Sequence, residues 1–241
     1  MTTKDILNEL KMELPATVKL VAVSKFHPFE SIAEAYEAGQ RVFAESRPQE
    51  FLAKIKTLEA LREDMVFRVE AGGGDAEADR GYMSDVEWHF IGHLQTNKLK
   101  MVLPFVSLVQ SVDSVRLLDA IDAWGRANGK VIDVLLECHV SAEDSKQGFS
   151  GVELAELLEG WHGRDFVRVR GVMGMATFTD DESVVRSDFA RLVAMSDMVR
   201  AAFPGHDSNE ISMGMSGDYR IAVEMGSTMV RIGSMIFGGR G

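Results

Sequence analysis

The sequence predicts a (β/α)8 barrel, the TIM-barrel fold, because strand-like and helix-like segments alternate eight times within 241 residues. Most of the predicted strands are continuous apolar runs, which is typical of parallel strands buried on both faces. A doubly wound open sheet is the alternative, but it favours a G-x-G-x-x-G turn after the first strand, and SKFHPF stands there at 24–29. We therefore expect a single barrel domain over residues 1–241 with an extra N-terminal helix.

The elements are predicted from apolar periodicity and from the residues that end each run. A leading helix over 3–13 carries leucines and isoleucine at helical spacing, and later helices end before Gly39, Pro104, Gly129 and Pro204. Strands are expected at 18–24, 42–44, 86–91, 105–111, 131–140, 168–176, 210–213 and 229–233. Helices are expected near 29–38, 47–62, 95–103, 114–128, 151–159, 182–202 and 217–225, with Asp113 as N-cap of the helix over 114–128.

Composition excludes several functional classes. The net charge of −11 argues against a nucleic-acid partner, because the phosphate backbone requires a basic surface. The one cysteine, Cys138, predicts a buried apolar position rather than a disulfide or a zinc site. No apolar run reaches membrane-spanning length and the N-terminus lacks a signal-peptide core, so we expect a cytoplasmic protein. Residues 70–85 are acidic and glycine-rich and predict a surface insert.

Lys25 is the first candidate for chemistry, because it ends the apolar run VKLVAVSK at 18–25. Burial lowers the pKa of an amine, and a neutral amine can attack an aldehyde. The alternative is a lysine that only extends to water. In a barrel, active groups follow the strand ends. The polar residues at those places are Lys25, Glu45, Ser46, Arg47, His93, Gln95, Ser141, Thr177, Ser212, Ser216, Asp218, Arg231 and Ser234.

A phosphate site is predicted at the loops after the seventh and eighth strands, its usual place in this fold. Ser216 and Gly217 are expected to open a helix, where free N–H groups attract an anion. Gly233 permits close approach of the backbone, and Ser234 adds a hydroxyl. Capping and turning the chain are the alternative roles. An amine together with a phosphate site indicates pyridoxal 5′-phosphate (PLP).

The sequence contains three further groups with possible chemical roles. Arg231 lies inside the last strand and requires a partner, either a carboxylate such as Glu210 or Glu224, or a pyridine nitrogen. His89 and His93 are expected on one face of a strand, but no third ligand accompanies them, so no metal site is expected. The methionines near the last two strands predict core packing, and one of them, Met213, is assigned to contact with a flat cofactor ring.

The motifs together resemble the pyridoxal phosphate homeostasis proteins of the YggS/PROSC type, relatives of the alanine racemase N-terminal barrel. The matching stretches are AVSKFHP (22–28), VFAESRPQE (42–50), EWHFIGHLQTNK (87–98), DSKQGF (144–149), RGVMGMA (170–176) and SMGMSGDYRIAVEMGSTMVRIGSMIFGGR (212–240). The resemblance implies that Lys25 holds PLP as a Schiff base and that Arg231 faces the pyridine nitrogen. It also implies that Ser216, Gly217, Gly233 and Ser234 bind the phosphate. The chain departs from the family at Ser46, where asparagine is usual, at Ser234, where threonine is usual, and in the insert over 70–85.

A carrier is expected rather than an enzyme. An arginine at the ring nitrogen disfavours its protonation and weakens the electron sink that a carbanion needs. A racemase also needs a second acid/base, and in the racemases that the chain resembles a tyrosine of a separate C-terminal domain has that role. No such domain is expected in the sequence to Gly241, and its tyrosines, Tyr36, Tyr82 and Tyr219, are expected on helices or loops.

The expected function is therefore binding, buffering or delivery of PLP by a monomer, with apo PLP-dependent enzymes as the possible recipients. Two alternatives stay open. One is a weak PLP-dependent amino-acid racemase. The other is a barrel that binds a different phosphorylated ligand and never forms an imine.

Overall fold

The computed structural model describes residues 1–70, 81–142 and 147–239, and it contains a closed barrel of eight parallel strands in sequence order. The barrel closes where the first strand pairs with the eighth, Ala22 opposite Ile232. The strands are β1 Lys19–Val23, β2 Val42–Glu45, β3 Glu87–Phe90, β4 Leu108–Val112, β5 Ile132–Cys138, β6 Val167–Gly174, β7 Glu210–Ser212 and β8 Met229–Ile232. The predicted fold class is confirmed.

The helices surround this barrel. They are α1 Thr3–Glu13, α2 Phe29–Glu37, α3 Pro48–Glu70, α4 Leu99–Val102 after a 3-10 turn at Thr96–Lys98, α5 Val115–Asn128, α6 Gly151–Glu159, α7 Glu182–Ala202, α8 Tyr219–Glu224 and α9 Ser234–Phe237. The extra N-terminal helix, α1, is confirmed, α3 is longer than predicted, and α9 was not predicted. Among the described helices, none is long and apolar enough to cross a membrane.

Alternating residues of each strand face two separate apolar layers. Inside the barrel, Val21 and Val23 of β1 pack with Ala44 and Met229. The larger layer lies between strands and helices and contains the intervening residues, such as Ala22. This two-sided burial explains why the strands are continuous apolar runs in the sequence.

The predicted surface insert over 70–85 is only partly covered by the structure, because residues 71–80 lie outside the described part of the chain. Within 81–85, Gly81, Ser84 and Asp85 are exposed, whereas Tyr82 and Met83 pack inwards, and the surface insert as a whole stays a prediction. Met83 is 1% exposed, and Arg62 of α3 donates hydrogen bonds to the carbonyls of Tyr82 and Met83 at 2.9 and 2.8 Å. This segment is held against α3. Residues 144–146 of the DSKQGF motif are also outside the described chain.

Gly129 ends α5 in the left-handed region, with φ 64°, as expected for a C-terminal glycine. A Cβ at this position would meet no atom within 4 Å, so a side chain there meets backbone strain but no steric clash. We expect Gly129→Ala to lower the free energy of unfolding by about 1 kcal/mol. Urea denaturation of the two proteins measures the difference, and Gly151→Ala, also in open space but without positive φ, is the matched control. An equal loss in both variants would contradict the assignment to backbone strain.

Candidate functional site

Lys25 lies at the carboxyl end of the barrel, between the ends of β2 and β8. It follows β1 by two residues, and β1 pairs through Val23 with Ala44 and through Ala22 with Ile232. Lys25 is half-buried. From this register, the spatial neighbours of the Lys25 segment are Ser46, which follows β2, and Gly233, which follows β8.

The loops after β1 and β8 are in direct contact. A Cβ added to Gly233 would lie 2.9 Å from the Val23 carbonyl oxygen and 3.2 Å from the Val23 Cβ, so only glycine permits this approach. The rings of His27 and Phe237 lie 5.2 Å apart between their centroids. The segment that carries Lys25 thus lies beside Gly233 and α9.

The predicted phosphate site is assembled from two loops. The Ser234 hydroxyl donates to the Ser216 hydroxyl at 3.1 Å, which joins the loop after β8 to the loop after β7. The backbone N–H groups of Ser216, Gly217, Ser234 and Met235 have no hydrogen-bond partner among the described residues. We call residues 216–217 and 234–235 the anion cradle. Unpaired amides and hydroxyls at one place suit a phosphate.

One detail of the phosphate prediction was wrong, because Ser216 and Gly217 do not open a helix. They lie in a turn, and α8 begins at Tyr219. The Asp218 carboxylate accepts a hydrogen bond from the Met215 N–H at 2.6 Å and closes this turn. The free amides therefore come from a turn, a backbone arrangement that also binds anions.

Arg231 is 4% exposed inside the barrel and donates to backbone and side-chain oxygens of the neighbouring strands. Its Nη1 bonds the Ser212 carbonyl at 2.8 Å and the Ser212 hydroxyl at 2.5 Å, and its Nη2 bonds the Gly174 carbonyl at 2.9 Å. Burial lowers the pKa of Arg231 to about 10, so the guanidinium stays charged at neutral pH. Two of its N–H groups have no partner among the described residues and remain for a ligand.

The proposed carboxylate partners of Arg231 were wrong. Glu210 instead accepts a hydrogen bond from the Thr228 hydroxyl at 2.5 Å, and Glu224 pairs with Arg186 at 2.6 Å on the outside of the barrel. Glu137 is a carboxylate whose charge raises the pKa of Arg231, and the contact with a pyridine nitrogen stays a prediction.

A polar chain extends from Arg231 into the barrel interior. The Ser212 hydroxyl donates to Gln110 Oε1 at 2.7 Å, and Gln110 Nε2 lies 2.8 Å from His89 Nδ1. Burial lowers the pKa of His89 to about 3, so its imidazole is neutral and accepts from the Gln110 amide. The chain keeps Ser212 oriented towards Arg231. Sequence reasoning missed Gln110, because a glutamine in a strand carries no catalytic pattern.

The two histidines do not form one site. His89 points into the barrel, whereas His93 follows β3 and its Nδ1 lies 2.9 Å from the Asp113 carboxylate. Asp113 was predicted to cap α5, but Ser114 does so, its hydroxyl accepting from the Leu117 N–H at 3.3 Å. Within the described ranges, no three His, Cys, Asp or Glu side chains are grouped to hold a metal.

Beneath Lys25 lies a buried charge cluster that the sequence did not reveal. Lys54 of α3 is 5% exposed, and its Nζ donates to Glu45 Oε1 at 2.6 Å, to Glu50 Oε1 at 3.1 Å and to the Ser24 carbonyl at 2.9 Å. The Ser24 hydroxyl also donates to Glu45 Oε1, at 2.6 Å. We call Ser24, Glu45, Glu50 and Lys54 the Lys54 cluster. Glu45 was expected at the barrel mouth, but it faces outwards under α3 and is 0% exposed.

Glu137 on β5 is a second buried acid that the sequence did not indicate, and it is 5% exposed. Burial and the Asp113 charge, opposed by the Arg231 charge, together raise the pKa of its carboxyl to about 7. Glu137 therefore exchanges its proton near neutral pH. The position also places an ionisable group near the Arg231 guanidinium.

This shifted pKa predicts a pH dependence of stability. Between the ordinary pKa of 4.5 and about 7, the folded state holds a proton that the unfolded state has lost, so the free energy of unfolding falls as pH rises. From pH 5 to pH 8 we expect wild type to lose about 2 kcal/mol relative to Glu137→Gln, which cannot ionise. Urea denaturation at both pH values checks this, and parallel pH curves for the two proteins would show that the shift is absent.

Ser46 and Met213 were both predicted to contact the ligand, but they lie in different parts of the structure. Ser46 follows β2 at the mouth, and its carbonyl would be 2.0 Å from a Cβ on Gly92, so Gly92 packs tightly against it. Met213 is 0% exposed in the outer apolar layer, and its backbone N–H donates to the Met229 carbonyl. The structure brings Ser46 to the mouth and does not bring the Met213 side chain there. Cys138 is buried, which raises the pKa of its thiol.

The three tyrosines lie outside the barrel interior, as predicted. The Tyr36 hydroxyl donates to Asp85 at 2.7 Å, and Tyr82 packs edge-on against the Tyr36 ring. The Tyr219 hydroxyl donates to Glu13 of α1 at 2.8 Å, and burial raises its pKa to about 12. No tyrosine is placed to exchange a proton with a ligand held at Lys25.

The chain is similar to one domain family and to several named relatives over most of its length. The profile of the family described as "Alanine racemase, N-terminal domain" matches residues 4–241. The pyridoxal phosphate homeostasis protein of Aquifex aeolicus (strain VF5) is 36% identical over 226 residues, covering 92% of this chain and 87% of the relative. The protein of that name from Bos taurus is 36% identical over 240 residues, covering 95% of this chain and 80% of the relative.

Solved structures extend this similarity to the fold. PipY of Synechococcus elongatus PCC7942, solved with PLP bound, has a TM-score of 0.82 and 30% identity, covering 98% of this chain and 100% of PipY. Alanine racemase from Corynebacterium glutamicum has a TM-score of 0.68 at 12% identity, covering 98% of this chain and 60% of the racemase. The racemase similarity concerns the barrel alone.

Proposed function

Because the chain belongs to the pyridoxal phosphate homeostasis proteins, within the alanine racemase N-terminal domain family, we propose that it binds PLP reversibly and takes part in PLP homeostasis. Lys25 supplies the amine and the anion cradle supplies the phosphate site. The Lys25 nitrogen forms a C=N bond to the aldehyde carbon of PLP, and the aldehyde oxygen leaves as water.

One observation carries this proposal above all others. The anion cradle holds four backbone N–H groups without partners among the described residues, and two hydroxyls 3.1 Å apart. Ser216 is half-buried, and Gly217, Ser234 and Met235 are exposed, so these N–H donors are open to a ligand. Backbone N–H groups clustered in this way favour an anionic ligand. The cradle lies beside the loop that carries Lys25, because β8 pairs with β1.

Arg231 supports carriage rather than catalysis. Its charged guanidinium retains two N–H donors for the pyridine nitrogen, and a donor at that nitrogen keeps it unprotonated. Bound PLP supplies an electron sink for carbanions, and an unprotonated ring weakens it. The tyrosine hydroxyls that bond Asp85 and Glu13 give no second acid/base, which a racemase needs.

The wider role is part of the same proposal. The protein acts as a cytoplasmic monomer that keeps the reactive aldehyde bound and delivers it to apo PLP-dependent enzymes. The half-buried position of Lys25 supports delivery, because transfer to an acceptor requires access to the imine carbon.

Borohydride reduction tests the proposal directly. Purified protein with PLP should show a near-violet absorption band that disappears on reduction, and peptide mapping should place the pyridoxyl group on Lys25. Protein that stays colourless with PLP, or that is modified only at other lysines, would refute the imine. Solvent deuterium exchange at Cα of single-enantiomer alanine, with turnover, would instead establish the racemase alternative.

A further inference from the structure

Of the two residues that flank Lys25 in the chain, Ser24 belongs to the Lys54 cluster and Phe26 is hydrogen-bonded to it. Ser24 precedes Lys25, and its carbonyl oxygen accepts hydrogen bonds from Lys54 Nζ at 2.9 Å and from the His27 N–H at 3.1 Å. Its hydroxyl donates to Glu45. Ser24 is 0% exposed, so these bonds are shielded from water.

Phe26 follows Lys25 and is held by the other side of the same cluster. Its N–H donates to Glu50 Oε1 at 2.5 Å, and Glu50 Oε1 also accepts from Lys54. Phe26 has φ 68°, in the left-handed region that residues other than glycine rarely adopt. A backbone in this region is retained where surrounding contacts determine it. The charge-assisted bond to Glu50 is such a contact.

Lys54 therefore bonds both sides of the Lys25 turn, directly at Ser24 and through Glu50 at Phe26. It also balances Glu45, whose pKa is raised by burial and lowered by the Lys54 charge. Glu45 Oε2 has no partner among the described residues, so Lys54 and Ser24 are the groups that stabilise this carboxylate.

We propose that Lys54, with Glu45 and Glu50, positions Lys25 for imine formation without touching the ligand. The cluster lies on the outer side of the strands under α3, whereas the ligand site lies at the mouth. It acts on the turn 24–27, whose conformation sets the direction in which the Lys25 amine leaves the backbone. This inference rests on the proposed function, since it concerns how the same amine is presented.

The test compares two ligands that differ only at the reacting group. PLP carries the aldehyde, whereas pyridoxamine 5′-phosphate carries the same ring and phosphate but cannot form an imine with a lysine. In Lys54→Met we expect the affinity for PLP to fall at least about tenfold, because this is the effect of losing one charge-assisted hydrogen bond. The affinity for pyridoxamine 5′-phosphate should be unchanged. Lys130→Met is the matched control, because Lys130 also donates to backbone carbonyls, of Leu103 and Pro104, but away from Lys25.

The outcomes distinguish failure of the positioning proposal from failure of the proposed function. A selective loss for PLP in folded Lys54→Met supports positioning. An equal loss for both ligands, or no loss, overturns it while leaving borohydride trapping on wild-type Lys25 intact. If wild type itself forms no trapped imine, the proposed function fails first. If Lys54→Met shows no cooperative unfolding transition, Glu50→Ala decides. Its partly exposed carboxylate accepts from both the Phe26 N–H and Lys54, so the same selectivity is expected.

Discussion

Lys25→Ala should abolish the borohydride-trapped PLP adduct and the visible band, while pyridoxamine 5′-phosphate still binds. The reason is that Lys25 is the amine proposed to react with the aldehyde, whereas the proposed phosphate and ring contacts come from the loops after β7 and β8. Absorption spectra, mass spectrometry after reduction and calorimetric titration with pyridoxamine 5′-phosphate measure these effects separately. We expect this to be the largest effect of any single substitution, because a covalent bond is lost.

Lys98→Ala is the control for Lys25→Ala, since Lys98 lies in the turn after β3 and tests whether any lysine near the barrel end is trapped. It should keep the full band. A band of equal size in Lys25→Ala would mean that another amine forms the imine. Loss of pyridoxamine 5′-phosphate binding in Lys25→Ala would mean that the substitution damages the pocket as a whole.

Much of this site could be predicted from the sequence, because the fold rule places loops after the seventh and eighth strands together. Ser216 and Ser234 are far apart in the chain, yet their hydroxyls meet. The same rule brought Lys25 beside Gly233, because the first and last strands of a closed barrel pair. Apolar runs and capping residues were sufficient to locate the strands.

The partners of buried polar groups could not be predicted, because they depend on which strands are neighbours across the barrel. Arg231 bonds Ser212 and Gly174, on β7 and β6, and not the nearby carboxylates that spacing suggested. Glu45 looked like a mouth residue, but side chains alternate along a strand, and Glu45 falls on the outer face. The pairing of Glu45 with Lys54 depends on how α3 packs against the barrel, and the apolar periodicity of the sequence does not specify that packing.

The double substitution Ser216→Ala with Ser234→Ala should weaken PLP binding at least about 100-fold, because two charge-assisted hydrogen bonds of roughly 1.5–3 kcal/mol each are removed from the phosphate. The Ser216 and Ser234 hydroxyls are in contact in the structure. Both are removed together, so that neither hydroxyl can replace the other at the phosphate. Binding of pyridoxal, which has the same ring and aldehyde but no phosphate, should be unchanged. Titration of both ligands gives the ratio that isolates the phosphate contribution.

The pyridoxal comparison also determines where the phosphate binds. An equal loss for PLP and pyridoxal would show that the substitutions disturb Lys25 or the loops rather than a phosphate contact. No loss for PLP would place the phosphate elsewhere and remove the anion cradle from the site. Ser183→Ala is the control, because Ser183 is a hydroxyl at the first turn of another helix, α7, bonded to Asp181 and unconnected to the cradle. The remaining amides of Ser216, Gly217, Ser234 and Met235 cannot be removed by alanine, so residual phosphate-dependent affinity in the double variant measures what the backbone alone contributes.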